Sequence, residues 1–312
     1  MSLFDAMSIQ CARLEQITLI PEFGTDVDTP ESHPTLPAHA LTCMEIFGGN
    51  EPIDTAISTP GVDAFIFSRP YAGEHAGGDI HYASMCVTGR IARFMVADVS
   101  GHGEVVAEVA RTLRGLMRKN INTLDNARFT RALNTAFQMD TTGGKFATAI
   151  LASYFAPTDE LIVVNAGHPR PLRFDAERGA WSILTEAGQE GKSAANLPLG
   201  IIDPTEFSQF STRLNRGDLV LFYTDGLIEA SSAGGQMLGE EGLIRLVSSL
   251  DRGAPERMIP QLLARIEAHQ GGKPIGDDVT CVLLCHNASN PPKYSLGEQM
   301  TALAKAIGLR PV

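Results

Sequence analysis

No stretch of this 312-residue chain approaches the ~18–20 consecutive apolar residues that span a bilayer, so no membrane association is expected. Its opening residues, Met1-Ser2-Leu3-Phe4-Asp5, lack a basic region ahead of an apolar core. They do not read as a secretory leader, and the expected location is the cytoplasm. An excess of base is missing too. The net charge of −11 argues against a nucleic-acid binder, which carries a basic face. The five cysteines, Cys11, Cys43, Cys86, Cys281 and Cys285, are odd in number and contain no Cys-x-x-Cys pair. That excludes a simple disulfide framework and argues against zinc, leaving buried thiols in a reducing compartment. Internal repeats and low-complexity tracts are also absent.

What remains is the composition of a soluble globular protein, with 44% hydrophobic and 20% charged residues, long enough for one large domain or two small ones. Residues 21–40 are rich in Pro, Thr, Asp and His and read as a mobile linker. Residues 1–43 are therefore assigned to an N-terminal extension, 44–286 to the main domain and 287–312 to a tail. The tail breaks at Pro291-Pro292 and then carries Met300, Leu303 and Ile307 at the spacing of a short docked helix.

Within the main domain, strands are expected at 64–68, 82–87, 91–96, 146–155, 161–164, 171–174, 181–184, 219–223 and 279–284, several of them joined by turn residues. Helices are expected at 104–119, 126–139, 241–250 and 255–269. The first has Val106, Val109, Ala110, Leu113 and Met117 at helical spacing. Pro255 suits the first turn of the last. Strands interrupted by paired helices give an α+β layered domain.

Four short acidic motifs stand against this framework. They are Gly77-Gly78-Asp79, Asp98-Val99-Ser100-Gly101-His102-Gly103, Thr224-Asp225-Gly226 and Gly276-Asp277-Asp278-Val279-Thr280. Each puts an Asp beside Gly or at a strand end. Taken singly, Asp79, Asp225 and Asp277-Asp278 are ordinary turn residues, and Asp98 competes with Ser100 as a helix cap. Carboxylates gathered without counter-charge repel and resist ionisation. A common site for them makes sense around hard divalent cations, which prefer oxygen ligands.

In order and wording these motifs resemble the metal-dependent PPM-type (protein phosphatase 2C-like) serine/threonine phosphatases, in the bacterial branch typified by stage II sporulation protein E. Phe146-Ala147-Thr148-Ala149, Asn165-Ala166-Gly167-His168 and Leu197-Pro198-Leu199-Gly200 support the likeness, which runs from about Phe65 to His286. The resemblance implies a four-layer α/β/β/α sandwich with two central, mostly antiparallel sheets and a metal site at one end. It implies hydrolysis of phosphoserine or phosphothreonine on a bacterial signalling protein, such as an anti-sigma-factor antagonist. Two Mg2+ or Mn2+ ions, about 3.5–4 Å apart, would activate a water, so no protein nucleophile is needed. Consistently, no Cys lies in a Gly- and Arg-rich turn.

By the same resemblance, Asp79, Asp98, Asp225 and Asp277 are the catalytic metal ligands, and the backbone carbonyl of Val99 adds an oxygen. Asp278 either orients a metal-bound water or stabilises its turn. His102 is given a structural role at the helix start in preference to proton donation, and His168 a turn-organising role. Arg69 is weighed as a phosphate contact against a plain exposed strand-end residue. Two departures matter: Ser100 occupies the offset where eukaryotic relatives place a His, and Ile80-His81-Tyr82-Ala83 replaces the aromatic pair and second acid that often follow Asp79. Related domains associate through helices, which makes a homodimer an expectation of the resemblance. The competing readings are a non-catalytic pseudophosphatase that binds a signalling partner and a hydrolase of small phosphate esters.

Overall fold

The computed structural model describes residues 38–100, 104–140, 146–185 and 197–287. The N-terminal extension before residue 38, His102 and the tail after residue 287 lie outside the described residues. In chain order the strands and helices are β1 (His39–Ala40), β2 (Ile46–Gly49), β3 (Ile53–Ser58), β4 (Val62–Arg69), β5 (Asp79–Met85), β6 (Ile91–Val99), α1 (Glu104–Lys119), α2 (Asn126–Asp140), β7 (Ala147–Phe155), β8 (Glu160–Ala166), β9 (Leu172–Asp175), β10 (Ala180–Ile183), β11 (Phe210–Arg213), β12 (Leu219–Tyr223), α3 (Gly239–Ser248), α4 (Pro255–His269) and β13 (Val279–His286).

The strands form two sheets, ordered β1-β3-β4-β13-β12-β9-β10 and β11-β8-β7-β6-β5-β2. All named ladders are antiparallel except β1 against β3. Three apolar layers glue four structural layers together. Val62, Ala64, Ile66, Phe94, Val96, Ile150, Val220, Phe222, Val282 and Leu284 pack between the sheets. Tyr82, Met95 and Ala97 on the other side of the second sheet meet Val106, Leu113, Met117, Phe129 and Leu133 of α1 and α2. Leu221, Cys281 and Leu283 meet Leu243, Val247, Leu262 and Ile266 of α3 and α4. The period-2 alternation of strands sorts these residues. In β13, Val282 and Leu284 face the other sheet while Cys281 and Leu283 face the helices. Strands buried on both faces read as continuous apolar runs, as β12 does, with all five of its residues buried. The architecture is the α/β/β/α sandwich.

A buried cation ties the helical layer to the second sheet. Arg93, 1% exposed, donates to Ser153 Oγ at 3.0 Å, to the Asn120 carbonyl at 2.8 Å and to the Thr123 carbonyl. Its guanidinium lies 5.1 Å from the Phe129 ring centroid. Arg93 thereby holds two carbonyls of the connection between α1 and α2, and burial pushes its pKa down to about 10.

No described helix is long and apolar enough to cross a membrane. Among the described cysteines, Cys86 and Cys281 are buried. The strands β1, β2, β3 and β11 have no counterpart among the sequence expectations. The β11 strand is four residues long and half exposed at a sheet edge, and β3 carries a polar Asp54, Thr55 and Ser58.

Candidate metal centre

Asp79 opens β5 and Asp98 stands next to last in β6, directly opposite it in the antiparallel register. Both follow the parity of Ala83, Phe94 and Val96, so they lie on the inter-sheet side at its open end. The facing sheet delivers the remaining acids. β12 ends at Tyr223, and Asp225 begins a single 3-10 turn, Asp225–Leu227. Asp277 and Asp278 immediately precede β13. Two glycines let these segments close on one another. A Cβ on Gly77 would lie 2.7 Å from Asp278 Oδ2, and one on Gly226 would lie 2.3 Å from the Asp278 carbonyl oxygen.

Asp79 is 3% exposed. Thr224 Oγ1 donates to its Oδ2 at 2.8 Å, and Thr224 Oγ1 in turn accepts the Thr280 N–H at 2.9 Å. Thr280 Oγ1 pairs with Ser68 Oγ at 2.9 Å. A chain of hydroxyls thus fixes a carboxylate of one sheet to strands of the other. Burial, then the charge of Asp98, raises Asp79 well above the ordinary carboxylate range, against the hydrogen bonds from Thr224 and Thr280. Asp98, half-buried, is pushed up to about 7 by burial and then by Asp225, Asp277, Asp278 and Glu229. Asp225 is raised by burial, Glu229 and Asp277.

The two adjacent acids of the last motif differ. Asp277 is exposed, and its Oδ1 accepts the N–H of Asp278 at 2.8 Å. Asp278 turns back into the fold. Its Oδ1 accepts the Tyr71 N–H at 2.6 Å and its Oδ2 the Gly78 N–H at 2.5 Å, so it latches the segment that leads into Asp79. The N–H of Val99 bonds the Gly78 carbonyl at 3.1 Å, tying β6 to that same segment.

Among the described residues, no cation comes within ion-pair distance of Asp79, Asp98, Asp225, Asp277 or Asp278. Nor are any three described His, Cys, Asp or Glu side chains arranged to hold a metal ion. The acids from both sheets thus share one end of the sandwich, where Asp79, Asp98 and Asp225 are raised by burial and by neighbouring acids, yet among the described residues they are not closed into a ligand set. Their donor chemistry, oxygen only and uncompensated, fits hard divalent cations.

The neighbouring histidines are structural. His168 is buried, with its Nδ1 2.8 Å from Thr148 Oγ1, and Thr148 is the register partner of Asp98. Its backbone N–H donates to Asn165 Oδ1, and Asn165 Nδ2 donates to its carbonyl, both at 2.8 Å, closing the turn. Burial drives His168 down to about 3 and His81 to about 4, which keeps both neutral. Arg69 turns away from the acids, to Glu267 of α4 at 3.5 Å.

Three residues that the sequence reading gave no role belong to this end. Glu229 follows Asp225 by one turn, through its N–H bond to the Asp225 carbonyl at 2.9 Å, and adds its charge to Asp98 and Asp225. Thr224 and Thr280 anchor Asp79. The only signal in sequence was their adjacency to the motif acids.

Residues 88–287 match the sequence profile of the stage II sporulation protein E family. The phosphoserine phosphatase RsbP of Bacillus subtilis (strain 168) is 26% identical over 144 residues, 45% of this chain and 34% of the relative, so the chain spans about a third of that protein's length. Among solved structures, the RsbU and RsbW domains of Rv1364c from Mycobacterium tuberculosis superpose with a TM-score of 0.58 at 26% identity, covering 83% of this chain and 69% of that one. The PP2C phosphatase domain of SpoIIE from Bacillus subtilis, with a fragment of its regulatory domain, superposes with a TM-score of 0.59 at 18% identity, covering 77% of this chain and 71% of that one.

Proposed function

The chain belongs to the stage II sporulation protein E family, and from that premise we propose that it is a metal-dependent protein serine/threonine phosphatase. The substrate in this reading is phosphoserine or phosphothreonine on a bacterial signalling protein of the anti-sigma-factor-antagonist kind. The observation that carries the reading is the set of mutually repelling acids, delivered by both sheets to one end and left without a cation among the described residues. A phosphoserine phosphatase among the relatives supports the substrate class.

Asp79, Asp98, Asp225 and Asp277, with the Val99 carbonyl, would hold Mg2+ or Mn2+, two ions in this reading. When bound, such ions supply Lewis acidity that lowers the pKa of water and offsets charge on phosphate oxygens. The chain's own residues do the rest. Thr224 and Thr280 hold the Asp79 carboxylate in one orientation across the sheet boundary. Asp278 keeps Gly78, and hence the start of β5, in register with the last motif. Glu229 adds negative charge beside Asp98 and Asp225, which strengthens attraction for a divalent cation. With His168 neutral and bonded to Thr148, proton donation from that ring has no part in the scheme.

The test is turnover of a phosphorylated regulator, a phosphopeptide and p-nitrophenyl phosphate by the full chain, with manganese and then with a chelator. The phosphoprotein is expected to be the preferred substrate, and chelation to stop the reaction. Asp98→Asn and Asp225→Asn should each lower kcat by about a hundredfold or more, the equivalent of losing ~3 kcal/mol of transition-state stabilisation. Wild-type rates in both variants, or turnover indifferent to the chelator, would reject this site.

A further inference from the structure

After Glu104 and Glu108 in its first turns, the rest of α1 carries a charge pattern opposite to that of the chain. The protein has a net charge of −11, yet residues 109–119 hold Arg111, Arg114, Arg118 and Lys119 and no acid. The apolar face of the same helix, Val106, Val109, Ala110, Leu113 and Met117, is buried in the core. Arg111, Arg114 and Arg118 are three and seven positions apart, which aligns them in one exposed stripe. Among the described side chains none of the four cations meets a carboxylate, whereas Arg69, Arg131, Arg170, Arg173, Arg178, Arg213 and Arg245 all do. Arg114 donates instead to the carbonyls of Gly48 at 3.0 Å and Ile46 at 2.8 Å, which fixes its charge over the edge of β2.

Two further observations point to an occupant. Gly115 sits inside this stripe, in the body of the helix, where glycine is the least favoured residue after proline. A Cβ there would meet no atom within 4 Å, so nothing in the described fold asks for the glycine. A bare backbone on an exposed helix face does suit the close approach of another chain. Beside it lies a cavity of about 470 Å3, lined among others by Phe47, Asn50, Ile53, Tyr82, Arg111 and Arg114, with one acid, Glu51, also in its wall.

We propose that the Arg111–Arg114–Arg118 stripe, with the Gly115 gap and the adjoining cavity, is a docking surface for an acidic polypeptide segment of a partner protein. The cations supply attraction with no described carboxylate to displace, and the cavity accepts an apolar side chain of the incoming segment. This inference does not depend on the catalytic reading, since binding is measured without turnover.

The experiment is fluorescence anisotropy of a labelled oligo-glutamate peptide with the full chain at low and physiological salt. Wild type and the charge-matched control Arg216→Glu/Arg265→Glu, both at exposed positions, should bind alike and weaken with salt. Arg111→Glu/Arg118→Glu should bind at least about tenfold more weakly, because like charges now oppose the peptide. Gly115→Gln should weaken binding while raising the melting temperature, an opposition that a folding defect does not produce. Equal binding by the Arg111→Glu/Arg118→Glu variant and the control overturns the proposal, as does absence of binding at low salt. Tighter binding of a single-stranded DNA oligonucleotide than of the peptide also overturns it.

Discussion

The two ends of the sandwich handle their acids in opposite ways. At the end where β5, β12 and β13 meet, Asp79, Asp98 and Asp225 are pushed above the ordinary carboxylate range by burial and by one another. At the far end of the same strands, Asp218 and Asp159 are matched. Asp218, fully buried just ahead of β12, receives Arg173 at 2.6 Å and the N–H groups of Asn215 and Ala176 at 2.9 Å. Asp159, in the turn between β7 and β8, accepts from Tyr154 Oη at 2.7 Å, pairs with His286 Nε2 at 3.0 Å and has Arg213 at 3.7 Å. Burial pushes Asp159 up, but the hydrogen bonds from His286 and Tyr154 outweigh it and leave it below the usual range. The matched end is built for stability. The unmatched end carries acids whose charge costs stability, the arrangement that the proposed metal site would require.

Breaking each end should therefore move stability in opposite directions. The largest effect is expected from Asp218→Ala, which strands the guanidinium of Arg173 and two backbone donors. Chemical denaturation should show a loss of about 3–5 kcal/mol. Asp98→Asn should do the reverse in metal-free protein, adding on the order of 2 kcal/mol at neutral pH. The sign follows from its pKa, raised from 3.8 to about 7. In that interval the folded protein keeps a proton that the unfolded chain has released. Stability from this group is whole below about pH 4, falls as pH rises to about 7, and is level above it. Thermal melts of the metal-free wild type across that window should show the decline, the Asn variant should flatten it, and manganese should raise the melting temperature of the wild type alone. The smallest change is expected from Asp159→Asn, a loss of about 1–2 kcal/mol, since a charged hydrogen-bond acceptor becomes neutral while one oxygen remains. A stabilising Asp159→Asn or a destabilising Asp98→Asn would erase the distinction between the two ends.

Much of this was legible in the chain because it is local. Residues 104–119 announce α1 through apolar spacing, and the observed helix has those bounds. The strands that carry Asp98 and precede Asp225 are apolar runs cut off by glycine, so the motif acids could be placed at strand ends. The layered α+β class followed from the same alternation, and the sandwich itself from the resemblance. What stayed hidden depends on contacts between distant positions. Nothing near Asp278 says that its carboxylate grips Tyr71 and Gly78, 207 and 200 residues earlier. Nothing near Thr224 says that its hydroxyl meets Asp79, 145 residues away. Short strands such as β11 bury too little to leave an alternation, and the pairing of Asp159 with His286 joins a turn to the end of β13, 127 residues away, with no shared pattern.

One feature of the layout reaches further. The Thr224–Asp79 hydrogen bond is made across the gap between the sheets, and the motif acids are split between the same two layers. Each cation lodged among them would act as a rivet through both plates. The grip on metal would then be answerable to how snugly the plates are stacked, and Phe94, Val220 or Val282 of the inter-sheet core would become part of the tuning of the ion.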